Sequence, residues 1–135
     1  MTAPFSSGVT RNTPPITTVG NSQTTIVHSV PRDGTVTSVT WIPTAAVTGA
    51  NTNTRSMSLV NKGTDGAGTA VVATLQFDAG VNATAAVAKT ITLSGTPANL
   101  QVTSGQVLQW QSAAVGTGIA DPGGLVSVGI VAKYA

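Results

Sequence analysis

The sequence predicts an all-β protein: a single-domain antiparallel β-sandwich or jelly-roll-like barrel with an extended N-terminal arm. Three observations carry that prediction. Short segments of alternating apolar and polar residues recur along most of the chain, and a period of two marks a half-buried strand. Turn signals built from Gly, Pro and Asp separate them at intervals of roughly 8 to 12 residues, as in sandwiches and barrels. The third is the stretch GQVLQWQSAAVGTGIADPGGLVSVGIV over residues 105–131, where two β-branched segments flank a glycine-crowded loop. That reads as a closing antiparallel hairpin.

Residues 1–23 differ in character from the rest of the chain. MTAPFSSGVTRNTPPITTVGNSQ holds Pro4, Pro14 and Pro15, small polar residues and only isolated apolar ones. Proline removes backbone donors and favours extended geometry in itself and its predecessor. The segment is expected to be an extended arm, either a floppy terminus or one that orders on a partner, with residues 24–135 forming the sandwich. Its candidate contact residues toward a partner or a neighbouring subunit are Phe5, Val9, Arg11, Pro14, Pro15, Ile16 and Val19.

The strands are expected in this order. Residues 24–30 place Ile26, His28 and Val30 on one face, and Pro31-Arg32-Asp33-Gly34 turns the chain. Residues 35–42 put Val39 and Trp41 on one face, with Val36 and Ile42 on the other. Pro43 ends that strand, and residues 44–53 form one helical turn or a wide loop. Residues 55–61 bring Met57 and Leu59 together, and KGTDGAGT is a hairpin loop. Over residues 70–77, Val71, Ala73, Leu75 and Phe77 alternate with Val72, Thr74 and Gln76. The alanines of VNATAAVA slightly favour helix over loop. Residues 89–94 align Ile91 with Leu93, and Leu100 and Val102 continue briefly. In the closing hairpin Val126, Val128 and Ile130 share a face, and Asp121-Pro122-Gly123-Gly124 suits a type II turn, whose third position needs φ > 0. About eight strands result, the number of a jelly roll.

Composition narrows the function. Charged residues are 7% of the chain, against about 25% in ordinary domains. A sheet surface of Thr, Ser, Asn and Gln is poorly defended against edge pairing, because charges are the usual defence. The edges are therefore expected to be closed, covered or engaged with a partner. The six basic residues are dispersed and the net charge is +2, so the concentrated basic footprint of a nucleic-acid binder is missing. Without cysteine there is no disulfide or thiolate metal site. No signal peptide or membrane span is expected, which implies synthesis in a cytoplasm.

Candidate chemistry is sparse. Asp33, Asp65, Asp78 and Asp121 each lie in or beside a glycine-bearing turn, where backbone reasons suffice for an aspartate. His28, the one histidine, lacks a nucleophile-elbow motif to serve. The glycine loops lack the order of a phosphate-binding loop. No cofactor, metal or catalytic residue is expected. Trp41, Trp110 and Tyr134 are candidates for a sugar-stacking platform or for core and interface.

The stretches TVTSVTWIP, SLVNKGTDGAGTAVVATLQF, GTPANLQVTSGQVLQWQS and GTGIADPGGLVSVGIV resemble those of the capsid decoration, or cement, proteins of tailed bacteriophages. The resemblance spans roughly residues 24–131 and consists of hairpin patterning. It implies a non-enzymatic structural protein of the virion, carried on the capsid exterior and made in the host cytoplasm. It further implies the major capsid protein as partner, homo-oligomers with a trimer favoured, and arm contacts made by residues 2–23. No nucleic acid or membrane partner is implied. Two other readings remain open: a carbohydrate- or receptor-binding module of a phage fibre or tail, which needs exposed Trp41 and Trp110, and a small hydrolase built on His28.

Overall fold

The structure, a computed structural model, describes residues 6–133. It is all-β, and every ladder between its strands is antiparallel. The strands are β1 (Ser6–Thr13), β2 (Gln23–Ser29), β3 (Gly34–Pro43), β4 (Thr54–Asn61), β5 (Ala70–Gln76), β6 (Lys89–Thr90), β7 (Thr92–Leu93), β8 (Gln101–Val102), β9 (Val107–Val115) and β10 (Gly124–Ala132). One sheet runs β1-β10-β3-β6 with β8 also against β3, and the other runs β2-β9-β4-β5-β7. A 3-10 turn over Pro97–Leu100 leads into β8. Residues 44–53 and the VNATAAVA stretch are loops. The alanines of the second do not prevail, because its backbone is tied to residues 43–47 by the paired bonds between Val47 and Ala83 and by the Ala86 N–H on Pro43 O.

The two sheets enclose one apolar core of Trp41, Phe77, Met57, Leu59, Leu108, Trp110 and Ile91 with Val36, Val39, Val72, Val126 and Val128. Trp41 and Phe77 meet edge to face with centroids 6.0 Å apart, a favoured aromatic geometry. Along one lateral side the chain steps from sheet to sheet through a single residue. Ile91 lies between β6 and β7, is fully buried, and donates its N–H to Val39 O at 2.9 Å. That crossing closes the side. The opposite side ends in two outermost strands, β1 of one sheet and β2 of the other.

Three β-bulges reset the alternation that the sequence suggests. A bulge inserts one unpaired residue, so the inward phase shifts by one beyond it. In β3 the register jumps from Ser38 to Val36, leaving Thr37 unpaired; Val36, Val39 and Trp41 are therefore all buried, contrary to the expected split. In β5 the unpaired residue is Val72, so Val72, Ala73 and Phe77 point inward and Val71 faces out. In β2 it is Val27. Val27 and Val30 are buried and Ile26 is 53% exposed, which corrects the expected face of Ile26, His28 and Val30.

From Ser6 onward the expected arm is extended, but it is built into the sandwich. Residues 6–13 pair with β10 over eight consecutive positions without a shift. Thr13 and Ile16 are buried, and Ile16 N–H bonds Asp121 O at 2.9 Å. The alternation of Val9, Arg11 and Thr13 is too weakly apolar to read as a strand, because Arg11 interrupts it at an edge.

Candidate functional site

The residues expected to make contacts divide into two groups, with Phe5 lying outside the described residues. Val9 packs on the core and Ile16 is buried, so both hold the segment to the body. Arg11, Pro14, Pro15 and Val19 are exposed. All four lie in the N-terminal segment.

A fully buried arginine fixes that region in place. Arg55 stands second in β4, in phase with Met57 and Leu59, and alternation carries it into the interior with them. Its Nε donates to Ile119 O at 2.8 Å, and Nη2 donates to Val19 O at 2.9 Å and Asn21 O at 3.1 Å. Nη1 donates to Ser112 Oγ at 3.1 Å. That hydroxyl in turn donates to Asp121 Oδ2 at 2.7 Å. One guanidinium thus joins the N-terminal segment, the 116–123 loop and strands β4 and β9. Burial lowers the Arg55 pKa, and the Asp121 charge opposes that shift; an arginine stays charged through both.

The loop that Arg55 grips is moulded by glycines where the chain approaches closely. Gly118 has φ +77°, and a Cβ there would lie 2.1 Å from Val19 O. Gly123 has φ +79°, the conformation that a type II turn requires after Pro122. Asp121 Oδ1 accepts the Gly123 N–H at 2.8 Å, and its other oxygen takes Ser112. Turn chemistry alone was the expectation for Asp121, and the link to Arg55 extends it. Asp65 caps its own loop by accepting the Ala67 N–H, and Asp33 accepts the Ser104 N–H from a distant turn.

His28 is half-buried and projects on the same side as Leu108, its partner across the ladder. Its pKa is lowered by burial and, secondarily, by the Arg11 guanidinium. The charge that it feels is a cation, whereas a catalytic triad orients its histidine with an acid. Both tryptophans are buried, Trp41 at 0% and Trp110 at 1% exposure. They form no stacking platform, so the sugar-binding reading loses the residues it needs. Trp41 Nε1 reaches Thr13 Oγ1 at 3.4 Å, and Trp110 Nε1 has no partner among the described residues.

What remains as a contact surface is broad and uncharged. One sheet presents Thr10, Asn12, Thr35, Ser38, Thr40, Ile42, Leu125 and Ser127 on its outer side. The other presents Thr24, Ile26, Ser56, Ser58, Thr74, Gln76, Gln109 and Gln111. The ionic residues fall elsewhere. Arg55 and Asp121 are buried, Arg11 and Lys89 lie on outermost strands, and the rest lie in turns, loops or just past a strand end. An apolar groove of about 390 Å³ adjoins the first face at the Thr13 end of β1, lined by Thr13, Pro15, Ile42, Pro43, Pro122 and Leu125 among others. No family model, curated protein or solved structure matches this chain.

Proposed function

We propose that this chain is a structural virion protein that binds the outer surface of a phage capsid and stabilises the expanded shell, without catalysis. The observation that carries the reading is the pair of neutral sheet faces, from which ionic side chains are excluded. Such faces suit packing by shape and hydroxyl or amide hydrogen bonds, where charged faces would steer partners electrostatically. The resemblance to phage decoration proteins supplies the partner, the major capsid protein.

Stabilisation would arise through linkage. A protein that binds the expanded shell and not its precursor shifts the equilibrium toward expansion by mass action. Many copies on one symmetric lattice add their contributions, so each contact can be individually modest. Arg11, Pro14, Pro15 and Val19 lie on the exposed side of the N-terminal segment and are the residues proposed to meet the shell.

Fractionation of a lysate of the producing cells on a density gradient tests this. The chain is expected to migrate with DNA-filled particles at many copies per particle. Recovery only at the top of the gradient, as free protein, would remove the capsid from its function.

A further inference from the structure

At the end of the sandwich where β2 turns into β3, three segments distant in sequence converge. They are the turn Pro31-Arg32-Asp33, the turn Thr103-Ser104-Gly105, and Lys133 just past β10. Hydrogen bonds lock the three together. Lys133 N–H donates to Asp33 O at 2.8 Å, and Gly105 N–H donates to Val30 O at 2.8 Å. Ser104 adds two more, its N–H donating to Asp33 Oδ1 at 3.0 Å and its Oγ to Pro31 O at 3.1 Å.

These segments border an open pocket of about 310 Å³, lined by Pro31, Arg32, Asp33, Ser104 and Lys133. Two of the six basic residues of the chain, dispersed in the sequence, thus line one cavity. The single carboxylate on its wall belongs to Asp33, and its Oδ1 is turned onto the Ser104 N–H. It holds a turn in shape instead of bonding either cation among the described residues. Two cations therefore stand against one carboxylate already engaged by the main chain. Both are carried on backbone that the fold fixes, Arg32 between Pro31 and Asp33, and Lys133 through its bond to Asp33 O. A guanidinium presents forked donors that match two oxygens of one phosphate, and an ammonium adds a point charge. A phosphate group brings close to two negative charges and three acceptor oxygens. The broad faces beside this end are neutral, so no track of cations continues from the pocket along a polymer.

We propose that this pocket binds a single phosphate group, with Arg32 and Lys133 as its charged ligands. The source is either inorganic phosphate or the terminal phosphate of a small phosphomonoester. The site stands independently of capsid binding.

Amide NMR spectra of the purified full chain, titrated with inorganic phosphate at constant ionic strength, decide the matter. The signals of Arg32, Asp33, Ser104 and Lys133 should shift saturably, while those of the sheet faces stay in place. Arg32→Gln and Lys133→Gln should each weaken binding at least about tenfold, as loss of a charged hydrogen bond does. Lys89→Gln removes an equal charge from β6, outside the pocket, and should leave the dissociation constant unchanged. A parallel titration with glycerol phosphate separates the two sources, the tighter ligand naming the one used. Shifts that do not saturate, or an affinity insensitive to both pocket substitutions, would overturn the proposal. An equal loss in Lys89→Gln would do so too, because it would reduce the effect to overall charge. Tighter binding of an oligonucleotide without terminal phosphates would overturn it in favour of a polymer contact.

Discussion

Arg55 organises more of this molecule than any other single residue. Its four nitrogen-to-oxygen contacts beyond its own strand reach the carbonyls of Val19, Asn21 and Ile119 and the hydroxyl of Ser112. Removing one member of a buried charged network typically costs about 3–5 kcal/mol, because its partners stay buried without their bonds. Arg55→Met should therefore lower stability by about that amount, read as a fall in the urea midpoint at unchanged slope. Arg55→Lys should not restore it, since an ammonium cannot present the forked donors that bind three directions at once. The clue in the sequence was phase: Arg55, Met57 and Leu59 alternate together. Phase alone could not name the carbonyls, which come from loops 34 to 64 positions away.

At the same scale, His28 sets a pH dependence whose sign is fixed by its surroundings. Its pKa lies below the ordinary value of 6.5, through burial first and Arg11 second. The unfolded chain therefore binds the proton more readily than the folded one. Stability should be full above pH 6.5 and decline as the pH falls from there toward the folded pKa. Denaturation midpoints measured across that window should show the decline in the unmodified chain and a flatter profile in His28→Gln. An equal slope in both would place the titration elsewhere.

At the scale of elements, what was legible was strand existence and what was hidden was strand phase. The strand segments of residues 24–131 could be read from alternation and turn residues, because both are local. The bulges at Val27, Thr37 and Val72 are set by pairing with strands distant in sequence, and no local pattern announces them. The consequence is a sharp reversal in β5. Alternation alone buries Val71 and exposes Val72, whereas the structure buries Val72 fully and leaves Val71 37% exposed. Val72→Ala should cost about 2 kcal/mol and Val71→Ala under about 1 kcal/mol, measured by thermal or urea unfolding. The opposite ranking would mean that β5 lacks the bulge. β1 was missed for a different reason: its alternation is apolar only at Val9, and its strand character comes from β10.

At the scale of the whole molecule, the N-terminal segment belongs to the fold. Deleting residues 1–23 removes β1, the buried Ile16 and two of the carbonyls that receive Arg55. The truncated chain should unfold at a markedly lower urea concentration, so a loss of the proposed capsid binding would report instability as well as lost contact. Val19→Ser is a cleaner probe. It alters an exposed side chain while keeping the carbonyl that Arg55 uses, and it should weaken capsid binding without moving the unfolding midpoint.

The candidate site was only partly legible because the proposed contact surface consists of whole faces. Neutrality could be counted from composition, but the exclusion of charges from both broad sheets required the topology. The central claim is recognition of an expanded capsid. Its most direct test is to mix purified protein with expanded and with unexpanded phage capsid shells isolated from the producing cells, sediment each, and measure bound protein per shell. Saturable binding at a fixed number of copies on expanded shells, with little on unexpanded ones, is the predicted result. Binding to neither, or equal binding to both, would contradict it.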